Sequence, residues 1–395
     1  MTPTAANRHP PFSTPSILAV LCLLFSLMLV PAQSLSQPHY SRIPPGLDYA
    51  HLQITNQPWS IHIARLERSR SDFDIVTTLG NGAIQGLSSV SAQARSVPRE
   101  LGKPIAAVNG DFFLIRPGPY QGDPEGLQII NGELVSTPGL LSFWVEPRQF
   151  HIEKVLSALA IIWPSGRENP LGLNQTPRAD GAVLFTPIFG PSTRATNMVE
   201  LVLERFGTNV WLPLRAGRTY RARVRSINIA GDTPLAPDIT VLTVGSDLTN
   251  HVAAIEPGDI LQISMALSKD LSKATAAIGG GPLLVHAGKE QQWPAQKGST
   301  HPLPRHPRTA LGFNARYLFL VEVDGRQKEL SIGMTVAELA SFMKNLGCTE
   351  AMNLDGGGSS TFWLNGKVVN SPSDKRERSL ANALVIVQKG KPPRR

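Results

Sequence analysis

The chain has 395 residues, 42% of them hydrophobic and 17% charged, a globular composition long enough for one large domain or two smaller ones. Its formal charge of +8 suits an anionic glycan or cell-wall polymer. The basic residues are scattered and carry no binding motif, which excludes nucleic acid as the expected partner. With only Cys22 and Cys348, a disulfide framework is excluded as well, and the core must stabilise the fold.

Ile17 to Val30 is an unbroken apolar run that follows Arg8 and precedes Pro31-Ala32-Gln33-Ser34. This pattern predicts a secretory signal peptide over residues 1–34, with an uncleaved membrane anchor as the alternative, which the run disfavours by being shorter than the roughly 20 residues that span a bilayer. The expected product is exported, periplasmic or extracellular, with no stable membrane span. Residues 35–103 read as a strand-rich N-terminal extension in which Trp59 to Leu66 and Phe73 to Leu79 partly alternate.

Ile105 to Val108 is an apolar strand ending in Asn109-Gly110-Asp111. From about Ser142 to Leu267, turn signals at Pro164-Ser165-Gly166, Ala216-Gly217-Arg218, Ala230-Gly231-Asp232 and Pro257-Gly258-Asp259 separate short strands, a spacing that predicts antiparallel sheet. The segments around Pro170 and from Pro294 to Pro307 read as surface loops. Gly279-Gly280-Gly281-Pro282 lacks the Lys of a phosphate-binding P-loop and reads as a turn before the strand Leu283 to His286.

In the C-terminal third, Tyr317 to Val323 is an apolar strand, and Thr335-Val336-Ala337-Glu338 is a capping box. Val336, Leu339, Ala340, Met343 and Leu346 keep helical spacing as far as Gly347, and a second strand runs from about Ala351 to Leu354. Strand, helix and strand predict a right-handed crossover joining parallel strands. The expected fold class is therefore α+β: a mixed sheet with a βαβ crossover in the C-terminal third, and a strand-rich antiparallel middle. Ligands bind such sheets beyond the carboxyl ends of the strands. Asp324-Gly325-Arg326 and Asp355-Gly356-Gly357-Gly358 are expected to meet there, with Asp111 joining them.

Consecutive glycines let backbone amides approach a phosphate or oxyanion, although a tight turn uses the same residues. Ser359 and Ser360 add hydroxyls. Arg308 and Arg326 either hold an anion by bidentate hydrogen bonds or serve as surface charges. Asp355 and Asp324 are the first catalytic candidates, and Asp111 is the third. Glu322 shares a strand face with Asp324 and reads as a buried salt bridge or as a partner of that residue. Glu377-Arg378 either closes the site from one side or belongs to a solvated cluster from Lys375 to Arg378. No His-Glu-x-x-His pattern and no Gly-x-Ser-x-Gly elbow occurs. Asp and Asn oxygens at three strand ends leave room for a divalent cation, calcium or magnesium, as the one cofactor to consider.

The order of these motifs, from Ala107-Val108-Asn109-Gly110-Asp111 through Arg308-Thr309-Ala310-Leu311-Gly312, Val323-Asp324-Gly325-Arg326 and Gly333-Met334-Thr335 to Asn353 through Ser360 and Asn370 to Arg378, resembles the phosphodiester glycosidase family. The resemblance makes residues 104–390 one family domain. It implies an α+β fold and hydrolysis of a sugar phosphodiester; taken with the expected export and positive charge, the expected reaction is hydrolysis of a glycosyl-1-phosphodiester, of the N-acetylglucosamine-1-phosphodiester type, in a polysaccharide or cell-wall glycan. It also implies a pocket to which Asn109, Arg308, Asp324, Arg326, Asn353, Asp355, Gly356, Gly357 and Ser359 correspond, with Gly358, Ser360 and Glu377 as further substrate-binding candidates. Asp111 departs from the family pattern, where a small or different polar residue is expected. A noncatalytic protein that binds anionic exopolysaccharide and an ordinary glycoside hydrolase are the alternative functions.

Overall fold

The computed structural model describes residues 38–390 apart from 140, 148, 209 and 293–303. The expected signal peptide and most of the Pro294 to Pro307 loop lie outside the described residues. The described residues fall in one compact unit.

The architecture is mostly β: twenty-five strands and three short helices are described. Four layers of sheet carry it. The largest has eight strands, in the spatial order 41–43, 47–54, 59–67, 317–323, 308–313, 350–353, 283–286 and 289–290. A five-stranded sheet orders 367–368, 362–364, 103–109, 382–388 and 73–79, and a second orders 133–136, 128–130, 276–280, 141–146 and 149–154. Seven strands between Ser157 and Leu267 close into a barrel.

The α+β expectation with its βαβ crossover is overturned by this topology. Strand Arg308–Phe313 lies between Tyr317–Val323 and Glu350–Asn353 and is antiparallel to both. The helix Val336–Asn345 therefore connects strands that are not hydrogen-bonded to each other. Among the described residues the one parallel ladder is in the barrel, where 171–173 pair with 182–184. Strand 308–313 pairs with 317–323 as a local hairpin, but its pairing with 350–353 is distant in sequence, and strand and helix periodicity does not report it.

Local readings hold better. Thr335 and Glu338 form the reciprocal capping box, with Glu338 N donating to Thr335 Oγ1 at 3.1 Å and Thr335 N donating to the Glu338 carboxylate at 2.9 Å. Leu339, Ala340, Phe342 and Met343 form the helix's buried face, and Gly347 follows with φ +86°. Pro170, expected in a loop, lies in strand Glu168–Leu173 opposite Ala160. It sits one residue before that strand's second ladder begins, so its missing amide costs no bond there.

The second five-stranded sheet is buried on both faces. Phe143, Val145 and Ile278 join the core shared with Leu311, Leu320, Met352, Ile105 and Leu384. Their strand neighbours Trp144 and Ala277 point the other way, into the core filled by the barrel residues Leu184, Leu242 and Ile263. Period-two alternation of apolar residues on both faces is what seats this sheet as a middle layer.

Candidate active site

Strand Glu350–Asn353 ends in the loop Leu354 to Ser360, and three hydrogen bonds fix where that loop starts. Asp355 N donates to Gly110 O at 3.0 Å, Leu354 N to Thr309 O at 2.8 Å and Gly357 N to Pro307 O at 2.9 Å. Asn109, 1% exposed, locks the same point. Its Nδ2 donates to Asp355 O at 2.7 Å, and its Oδ1 accepts from Thr309 Oγ1 at 2.6 Å and Thr361 N at 3.1 Å. Asn109 thus ties three segments together and presents none of these groups to a ligand.

The glycines are required by close approach. A Cβ at Gly356 would lie 2.8 Å from Pro307 O, and one at Gly357, whose φ is +63°, would lie 2.9 Å from Arg326 Nη2. On the other side Arg378 packs against Gly358. Its Nη1 reaches Ser359 Oγ at 3.4 Å, and its Nη2 pairs with Asp374 Oδ2 at 2.8 Å. The loop therefore runs between two guanidinium groups.

The Asp355 carboxyl is half-buried, and Gly356 N donates to its Oδ1 at 2.7 Å. Burial raises its pKa above the ordinary 3.8. The Ser359 hydroxyl, the Gly356 amide and Arg378 pull the other way, and the Glu125 charge adds to the rise. A carboxyl so balanced can change protonation during a reaction.

Next to the loop stands a cationic cluster. Arg326 Nη2 lies 3.3 Å from His306 Nδ1, and Arg308 Nε donates to Met334 O at 2.9 Å. Among the described residues neither Arg308 nor Arg326 has a carboxylate partner. Burial and then Arg326 lower the Arg308 pKa, while burial, Arg326 and Arg308 together lower that of His306. Mutual repulsion of this kind is relieved by a bound anion.

The remaining candidates lie deeper. Asp111, 4% exposed, accepts from Phe112 N at 2.8 Å through Oδ1, while its Oδ2 packs against Gly126 and Gly279 with no partner. Burial pushes its pKa up to about 8, the Phe112 and Gly126 amides oppose this, and the charges of Glu125 and Asp355 contribute to the rise. Asp324, 1% exposed, accepts from Ser60 Oγ at 2.8 Å, Ser371 N at 2.7 Å and Asn370 Nδ2 at 3.3 Å. It shares no hydrogen bond with Asp355, but Asn370 Nδ2 also donates to Ser360 O at 3.3 Å. Glu322 is fully buried, and desolvation followed by the Asp324 charge raises its pKa well above the ordinary value.

Asn353 Nδ2 donates to Gly281 O at 2.8 Å, and its Oδ1 is buried without a partner, as is Ser360 Oγ. Glu377 turns away from the loop and accepts from Ser91 N at 2.8 Å, in the first turn of helix Val90–Ser96. Sequence reasoning missed Ser60 and His62, which sit on an otherwise ordinary strand, and Glu125, whose charge reaches both Asp111 and Asp355. Their only local signal is polarity, within a strand for Ser60 and His62 and in a bend for Glu125. Among the described residues, His62, Glu322 and Asp324 are placed so that they could hold a metal ion, and no helix is long and apolar enough to cross a membrane.

Residues 234–387 match the family model described as phosphodiester glycosidase. The chain is 43% identical over 68 residues to the bovine N-acetylglucosamine-1-phosphodiester alpha-N-acetylglucosaminidase, covering 17% of this chain and 12% of that protein. It is 40% identical over 83 residues to the SPbeta prophage-derived uncharacterized protein YomE of Bacillus subtilis (strain 168), covering 21% of this chain and 13% of that one. The matched segments are therefore a small part of these relatives' lengths. A solved structure of a hypothetical protein from Synechocystis shares the fold, with a TM-score of 0.70 at 18% identity over 89% of this chain and 64% of that one.

Proposed function

We propose, from the resemblance of residues 234–387 to phosphodiester glycosidases, that the chain hydrolyses a glycosyl-1-phosphodiester of the N-acetylglucosamine-1-phosphodiester type. The observation that carries this reading is the Arg308, Arg326 and His306 cluster, without a carboxylate partner among the described residues, lying against the glycine loop that begins at Asp355. A bound phosphodiester supplies the missing negative charge and accepts from both guanidinium groups.

A departing phosphate monoester is already a stable anion, so the leaving oxygen needs little protonation. Asp355 in its ionised form then stabilises positive charge developing at the anomeric carbon or accepts a proton from the attacking water, while the arginines hold the departing phosphate. The family resemblance and the bovine relative's name support the sugar phosphodiester class. The apolar run before Ser34 and the net positive charge support an exported protein acting on an anionic polysaccharide or cell-wall glycan.

Release of free sugar from a synthetic N-acetylglucosamine-α-1-phosphodiester tests the proposal, with wild type compared against Asp355→Asn. Turnover by wild type that falls at least about a hundredfold in the variant is expected. Equal turnover by both proteins, or none by wild type on a panel of glycosyl phosphodiesters that it nonetheless binds saturably, would overturn it.

A further inference from the structure

We propose that His62, Glu322 and Asp324 form a buried site for one divalent transition-metal ion of the zinc or manganese class, set behind the candidate active site. Strand register brings the three together. Glu322 is the direct cross-strand partner of His62 in the pairing of 59–67 with 317–323, and Asp324, two residues on, points to the same face. One ligand atom from each lies within 4.8 Å of the others, with His62 Nε2 3.5 Å from Asp324 Oδ2.

Glu322 is the observation that demands an occupant. It is 0% exposed, and apart from the Asn370 amide acting on its carboxyl it has no polar partner, neither oxygen being held in a well-formed hydrogen bond. An ionised carboxylate in such a place needs a cation, and a protonated one still needs an acceptor for its hydroxyl. The neighbours are already arranged as supports for ligands. Tyr49 Oη lies 2.7 Å from His62 Nδ1 and so orients the ring with Nε2 toward Asp324. Ser371 N and Asn370 Nδ2 occupy Asp324 Oδ1, and Oδ2 faces the histidine while accepting from the Ser60 hydroxyl at 2.8 Å. Two carboxylates, one neutral imidazole and a divalent ion sum to zero charge, which suits a site closed to water. The imidazole favours a transition metal over calcium or magnesium.

This ion would tie strand Trp59–Glu67 to strand Tyr317–Val323 from the side chains as well as the backbone, and Asp324 would be a ligand. The proposal does not depend on what the chain hydrolyses. The test uses the purified full chain: metal content by mass spectrometry after dialysis, thermal midpoint of chelator-treated protein with and without added zinc or manganese, and the visible spectrum after adding cobalt(II). Expected are stoichiometric bound metal, a midpoint raised by its return, and a cobalt absorption band, with metal content falling at least about tenfold in Glu322→Gln. A wild type free of metal, with no midpoint shift and no cobalt band, overturns the site. So does metal retained in full by Glu322→Gln. Because the cobalt and midpoint readings need only wild type, a variant that fails to fold leaves the test intact.

Discussion

Replacing Asp111 by asparagine should change how stability depends on pH. Burial holds the Asp111 carboxyl at a pKa of about 8 against the ordinary 3.8. A raised folded-state pKa favours the protonated form, so the contribution is fully present below pH 3.8 and is lost as pH rises towards 8. The slope in that window is about 1.4 kcal/mol per pH unit, which accumulates to about 4 kcal/mol by pH 7. Asparagine is neutral throughout, and its Oδ1 can keep the bond from Phe112 N. Any cost of an amide nitrogen where Oδ2 packs against Gly126 and Gly279 is the same at every pH and does not enter the slope. Denaturant unfolding of both proteins between pH 4 and 9 reads the effect. The variant should gain on wild type steadily up to about pH 8 and then level off. Turnover at pH 7 should stay within a few fold of wild type, since the orphan oxygen is buried. Stability curves that run parallel across the range would refute the reasoning.

Arg326→Ala should raise KM for a phosphodiester about tenfold to a hundredfold, the effect of losing a charge-assisted hydrogen bond, and should let the His306 pKa move up towards its ordinary value, which proton NMR would follow. Asn109→Ala leaves the Thr309 hydroxyl, the Thr361 amide and the Asp355 carbonyl without their partner. A loss of roughly 3–5 kcal/mol in denaturant unfolding is expected, together with lower turnover as the loop loses its anchor. Glu377→Ala removes an acceptor from the start of helix Val90–Ser96 and should cost about 1 kcal/mol with kcat unchanged, because that side chain points away from the glycine loop.

How far the sequence reveals this protein depends on the range of the interaction. The strand Tyr317–Val323, the cap at Thr335, the helix and its Gly347 stop are legible because each is set by neighbours within a few residues. The glycine loop and its arginines are legible because close approach and anion binding restrict residue type. Which strand lies beside which is not, and Arg308-Thr309-Ala310-Leu311-Gly312-Phe313 reads as a motif without disclosing that it separates two other strands. Nor does an Asp in a motif show whether its carboxyl faces the loop, as with Asp355, or is enclosed by Ser60, Asn370 and Ser371, as with Asp324. His62 becomes meaningful only once register sets it opposite Glu322.

The barrel begins and ends at one spot. Leu156 N donates to Ser268 Oγ at 2.8 Å, and Ser268 N donates back to Leu156 O at 3.0 Å, so the chain departs and returns through a single doorway. Yet the barrel's interior is continuous with Ile129, Leu134 and Trp144 of the sheet it leaves. Chain connectivity would allow the module to be excised and the gap closed by a short turn, whereas the shared core would leave both pieces with a bare apolar face. Two fragments cut at that doorway should therefore each be insoluble alone and recover by docking onto one another, as halves of one core.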